Sequence, residues 1–186
     1  MSNIETLIQG IEKAILDKNF SDFEKYVNEI DDMLTEKGEF SNSLLDKLFC
    51  VIGSTEFHKM DKSYMLLILF QYNVDILNDQ QKKNVVDVLE SNFELFKDST
   101  TCFLSAELIA EFFKDKRSLE VLQRLKKVKA DIPRALVPHG FAWLAKKCND
   151  RNLVEKIYAE LKSMVNDPSK DVRNEVAESM RKLKIA

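Results

Sequence analysis

Residues 153–183 read LVEKIYAELKSMVNDPSKDVRNEVAESMRKL. Leu153, Ile157, Leu161 and Met164 recur at spacings of three and four, which lays them along one stripe of an α-helix. Asp167 and Pro168 then break the chain, because proline lacks the N–H that would continue an α-helical ladder. Val172, Val176, Met180 and Leu183 form a second stripe. Two amphipathic helices joined by so short a turn must fold back on each other to cover those stripes. The stretch therefore predicts an antiparallel helical pair.

The same rhythm runs upstream. A first helix is expected over 3–18, on Ile4, Leu7, Ile8, Ile11 and Ile15. A second is opened by Ser21, with Glu24 completing a capping box, and closed by Gly38. A third begins at Ser43 and stops near Gly53. A fourth spans 61–77; its centre, YMLLILF at 64–70, is apolar all round, which predicts a helix covered on several sides. Asn78 with Gln81 caps the fifth, and Ser99 or Thr100 starts the sixth. The seventh covers 116–129 with Leu119, Leu122, Leu125 and Val128 inward. The eighth lies within 132–148 and contains Pro138 and Gly140, so it is expected either to kink or to start near Pro138. With the pair quoted above this makes ten helices, one pair per about 37 residues. Only four glycines and three prolines serve 186 residues, which suits helices joined by short loops and argues against an all-β fold.

The turn Asn166-Asp167-Pro168, the following Asp171-Val172-Arg173, and Ala177 and Leu183 further along make 153–183 resemble a HEAT repeat. The segment 119–144 resembles a weaker copy: Arg134 precedes Arg173, and Leu144 precedes Leu183, by 39 residues each, while Pro138 stands where Ala177 does. Residues 1–113 follow the pair rhythm without the turn motif. The resemblance implies an all-α, right-handed α-solenoid of about five antiparallel pairs, a single repeat domain over 1–186, and an extended surface for a macromolecular partner.

The net charge of −3 divides unevenly. Residues 1–113 carry 10 Lys and Arg against 21 Asp and Glu, a net of −11, whereas 114–186 carry 18 against 10, a net of +8. Glu24, Glu29, Asp31, Asp32, Glu36 and Glu39 concentrate the acidic half, a surface that would repel phosphates. In the basic half, Arg117, Arg124, Lys126, Lys127 and Lys129 crowd the seventh helix and its end, and Lys146, Lys147 and Arg151 follow one helix later. Arg117, Arg124 and Lys127 share one side of the seventh helix, opposite Leu119, Leu122 and Leu125. Such a cluster reads either as a solvated helix face or as an electrostatic footprint for an acidic partner or a nucleic-acid backbone. Trp143, the only tryptophan, joins these candidate partner-binding residues, either as core or as an anchor for a partner.

No glycine loop able to cradle phosphate, no nucleophile elbow and no metal-ligand spacing is present, so no cofactor and no metal are expected. His58 and His139 are the only histidines; His139, in Pro138-His139-Gly140, reads as a partly exposed structural histidine or as a ligand or base. Cys50, Cys102 and Cys148 are odd in number and far apart, and read as buried small hydrophobes in a reducing, cytoplasmic setting. No basic-then-apolar leader opens the chain, and the longest apolar run, 65–70, is too short for a bilayer, so no membrane partner is expected.

These features point to a non-catalytic interaction module, an adaptor or scaffold for a protein partner. Nucleic-acid binding through the basic half is the alternative, with a HEAT-like DNA glycosylase as its extreme. That chemistry asks for a carboxylate beside an aromatic side chain, and the spacing offers none to pair with Trp143. An immunity-type inhibitor and head-to-tail self-association of acidic and basic halves complete the readings.

Overall fold

The computed structural model describes residues 4–184. Among them the chain is all-α: eleven α-helices and two short 3-10 turns, with no strand. It divides into two compact units, Met1–Asn92 and Phe93–Ala186. No helix among the described residues is long and apolar enough to cross a membrane.

The first unit contains α1 (Ile4–Leu16), α2 (Phe20–Lys37), α3 (Asn42–Ile52), α4 (Thr55–Lys59), α5 (Tyr64–Tyr72) and α6 (Asp79–Asn92). The pairs α1–α2 and α3–α6 pack most closely, and α5 lies on α2. The expected start of the first helix at Asn3 lies outside the described residues. Helix α2 starts earlier than Ser21 suggests: the Asn19 side chain accepts from the Asp22 N–H, which makes Asn19 the cap. Gly38 ends α2 at φ +66°, a left-handed conformation that glycine adopts without a Cβ penalty. Asn78 and Gln81 form the expected reciprocal cap of α6, with bonds of 2.9 and 3.1 Å.

One long helix over 61–77 does not form. Ser54 caps a short α4 by accepting from the Phe57 N–H. The chain then turns through Lys62 at φ +64° before α5 begins. Asn73 stops α5; its side chain donates to Leu69 O at 2.9 Å and to Asp31 of α2 at 2.7 Å. The apolar centre behaves as expected, with no residue of 64–70 fully exposed.

The second unit contains a 3-10 turn (Phe93–Leu95), α7 (Ser99–Phe113), α8 (Lys116–Leu125), α9 (Asp131–Lys147), α10 (Arg151–Ser163) and α11 (Lys170–Lys182). Helix α9 lies between α7 and α11, and α8 and α10 are neighbours that also touch α9. Its residues Ala135, Val137, Pro138, His139, Gly140, Phe141, Ala142 and Leu144 are all buried. Burying a Leu or Phe side chain contributes about 1.5–3 kcal/mol, and α9 adds Phe141 and Leu144 to the Leu104, Leu108, Ile109 and Phe112 that α7 buries. Pro138 removes one backbone donor, yet α9 continues through it from 131 to 147. Packing against α7, α8, α10 and α11 outweighs the local cost, so the helix begins at Asp131 and not near Pro138.

Gly140 explains the closeness of α7 and α9. A Cβ there would lie 2.7 Å from the carbonyl oxygen of Ala106 and 2.7 Å from Leu122 Cδ2. The backbone of α7 occupies the space that any larger residue would need.

The spacing of 39 recurs in hydrogen bonds. Arg134 Nη1 donates to Val128 O and Lys129 O at 3.0 Å each, and Arg173 Nη1 donates to Asp167 O and Pro168 O at 2.7 and 2.9 Å. Each arginine folds back to hold the turn before its own helix. Arg134 also reaches forward to Asp167 at 3.4 Å, tying one turn to the next.

Replacing Gly140 by alanine should destabilise the protein by about 1–3 kcal/mol, because α7 and α9 must separate to admit the methyl group. Urea unfolding followed by circular dichroism measures this; a variant as stable as the parent would show that the close approach is not required.

Candidate partner-binding site

The basic residues singled out by sequence separate into three groups. The first is structural. Lys126 pairs with Glu160 of α10 and donates to Ser163 Oγ at 3.1 Å, and Gln123 donates to the same Glu160 at 2.6 Å. Burial raises the Glu160 carboxyl, but the hydrogen bonds from Lys126 and Gln123 and the charges of Lys126 and Lys127 outweigh it and hold the group below the usual range. This cluster ties α8 to α10. The backbone N–H of Lys129 donates to Glu94 at 2.8 Å, fixing the entry to α9, while the Arg124, Lys127 and Lys129 side chains stay exposed.

The second group lies across α7 and α9. Trp143 is half-buried, and its indole N–H donates to Glu111 at 2.7 Å. Lys147 sits 4.9 Å from the Trp143 ring centre and 3.8 Å from Glu111, which Lys114 also pairs. Trp143 therefore does have a carboxylate partner, 32 residues upstream, which spacing alone does not reveal. Burial raises Glu111, yet the bonds from Lys114 and Trp143 and the charges of Lys114 and Lys147 prevail and hold its carboxyl below the usual range. Two turns away along α7, Phe103 meets the ring of His139 edge-on at 4.8 Å, and His139 Nε2 lies 2.7 Å from Glu175 of α11. His139 is buried, not partly exposed, because Phe103 of α7 and Glu175 of α11 close on its ring.

Glu107 lies between these two contacts, one helical turn from each. Burial pushes its carboxyl up to about 7, against the pull of Lys182 and Lys146, with the charge of Glu111 adding to the rise. Lys146 is itself exposed.

The third group lines a groove of about 690 Å³ between the N-terminal ends of α8 and α10. Leu119 and Leu153, both buried, form an apolar floor. Lys116 and Arg117 stand on α8, Lys147 at the end of α9, and Lys156 on α10. Arg117 is bidentate to Asp115 at 3.0 and 2.8 Å and lies 4.0 Å over the Phe113 ring. Asp115 also caps α8 through the Arg117 N–H. Burial raises its carboxyl, but these bonds win and lower it. Asp150 caps α10 by accepting from the N–H groups of Asn152 and Leu153. Arg151, in the first turn of α10, is exposed beside the groove and does not line it.

The cysteines differ from one another. Cys102 is buried, which pushes its thiol up to about 12, whereas Cys50 is exposed and Cys148 half-buried at the end of α9. Among the described residues no group of three or more His, Cys, Asp and Glu side chains could hold a metal ion.

Sequence reasoning placed Trp143 and the cations near one another but missed Glu107, Lys156 and the leucine floor. Phe103, Glu107 and Glu111, like His139, Trp143 and Lys147, recur every fourth residue and so share a face, but which rung meets which is set by α7–α9 register. Comparison with protein-family models, with curated proteins and with solved structures gave no match.

The raised Glu107 value has a signed consequence. Between its ordinary 4.5 and about 7 the folded chain keeps a proton that the unfolded chain has lost. Its contribution to stability is therefore lost as pH rises through that window. Relative to the parent, Glu107→Gln should be unchanged near pH 4 and more stable by about 1 kcal/mol near pH 8, allowing for solvent screening of a half-exposed group. Urea midpoints across that range provide the check; a difference that does not vary with pH would contradict the assignment.

Proposed function

We propose that this protein is a non-catalytic interaction module, an adaptor or scaffold, that binds a protein partner through its second unit. The observation carrying this reading is the groove between α8 and α10, where cations surround a floor of two leucines. Its volume is within the range of sites that hold peptide or small-molecule ligands. An apolar floor with a polar, charged rim is also the composition of protein-binding patches.

A HEAT-like, right-handed solenoid of antiparallel pairs is part of the same proposal. The turn-holding arginines 39 residues apart, the Arg134–Asp167 tie, and the placing of α9 between α7 and α11 support it for the second unit. In that arrangement successive pairs present a continuous surface, and binding residues come from several repeats. The cytoplasmic setting belongs to this reading too.

The test is recovery of a partner by cross-linking and affinity capture of the full chain from its native cells, alongside a Lys116→Glu/Lys156→Glu double variant. A protein captured in stoichiometric amount by the parent, and reduced about tenfold with the variant, is the expected result. Capture of no protein, or of nuclease-sensitive nucleic acid alone, would end this reading.

A further inference from the structure

We infer that the groove between α8 and α10 receives an acidic, extended segment of a partner protein, seating a leucine-sized apolar side chain between its carboxylates. The inference rests on the interaction-module reading and specifies the partner's chemistry.

Charge sets the sign of the guest. Lys114, Lys116, Arg117, Lys147 and Lys156 line the groove against Asp115, Glu120 and Asp150. Two of those three carboxylates are committed to capping helices, Asp115 on α8 and Asp150 on α10. The third, Glu120, forms an exposed pair with Lys116 at 3.1 Å, the kind of contact that contributes only about 0.3–0.5 kcal/mol and exchanges readily. Lys156 is exposed and makes no ion pair with a described residue. Helices α8 and α10 also direct the positive ends of their dipoles toward this opening. Arg117 is held by Asp115, and Lys114 and Lys147 reach Glu111, so it is Lys116 and Lys156 that can turn toward an anionic guest.

The floor and rim decide the kind of anion. Leu119 and Leu153 have no use for a sugar-phosphate backbone, but they suit an aliphatic side chain. Among the described residues no aromatic ring lines the groove, so single-stranded bases would find no ring within it to stack on. Asp115, Glu120 and Asp150 interrupt the cations, which disfavours the evenly spaced charge of a nucleic-acid strand and tolerates carboxylates at separate points. Charges arranged in this way give specificity and steer association, while the apolar floor supplies desolvated contact.

The experiment uses the full chain and a fluorescein-labelled peptide of roughly twelve residues in which Asp and Glu alternate with Leu. Fluorescence anisotropy is recorded at low and moderate salt, with a single-stranded oligonucleotide and a peptide with Leu replaced by Ser as comparisons. Expected are saturable binding of the Leu peptide, weakening with salt, about tenfold loss in Lys156→Glu, and a similar loss for the Ser peptide. Leu153→Ala, which shortens the floor, is a second variant; Lys25→Glu, on α2 of the other unit, should bind as the parent does. Circular dichroism confirms that each variant is folded. No binding at low salt, equal binding of the Ser peptide, or an oligonucleotide that binds more tightly and loses affinity in the same variant would overturn the inference. So would concentration-dependent self-association abolished by Lys156→Glu, which would make a second copy the occupant. A partner recovered from cells while the peptide fails would refute this inference and leave the interaction-module reading standing.

Discussion

The second unit depends on the approach of α9 to α7 at Gly140. A hydrogen in place of a Cβ lets the α7 backbone at Ala106 come within a distance no side chain would permit. Close approach multiplies small dispersion contacts, which accumulate over two buried helices. It also sets register. With Gly140 against Ala106, His139 meets Phe103 on one side and Trp143 meets Glu111 on the other. Helix α9 also receives α11, and His139 meets Glu175 there.

That register sorts the charges. Composition reports a basic C-terminal half, but not which cations are engaged internally. Lys126 holds α8 to α10, Arg134 and Arg173 hold their own turns, and Lys114 and Lys147 surround Glu111. Of the groove's cations, Arg117 is held by Asp115, while Lys116 and Lys156 stand exposed at the ends of α8 and α10 beside the leucine floor. Glu107 differs from Glu111 and Glu160, because burial overrides the two lysines near it and no hydrogen bond from a described residue compensates.

Local rules were legible in the sequence where one helix decides the outcome. The Asn78–Gln81 cap, the Gly38 terminus and the apolar stripes of the last helical pair follow from spacing and φ preference. Competition between neighbours was less legible: Asn19 outcompetes Ser21 as a cap, and Ser54 starts a helix where none was expected. The late start at Pro138 does not occur, because proline's local cost is visible in sequence and the packing that offsets it is not. The repeat of 39 residues was visible as matching letters, while its meaning, two arginines holding equivalent turns, required the hydrogen bonds. Pairs such as Trp143 with Glu111 depend on helix register and have no signature within either helix.

If α9 is the centre of the unit, its backbone should be the last to open. Native-state hydrogen exchange on the full chain, read by mass spectrometry, tests this directly. The account predicts that the amides of 137–144 in α9 and 106–112 in α7 exchange slowest in the second unit and together, with α10 and α11 opening earlier. Exchange of α9 before α10 or α11, or independently of α7, would contradict it.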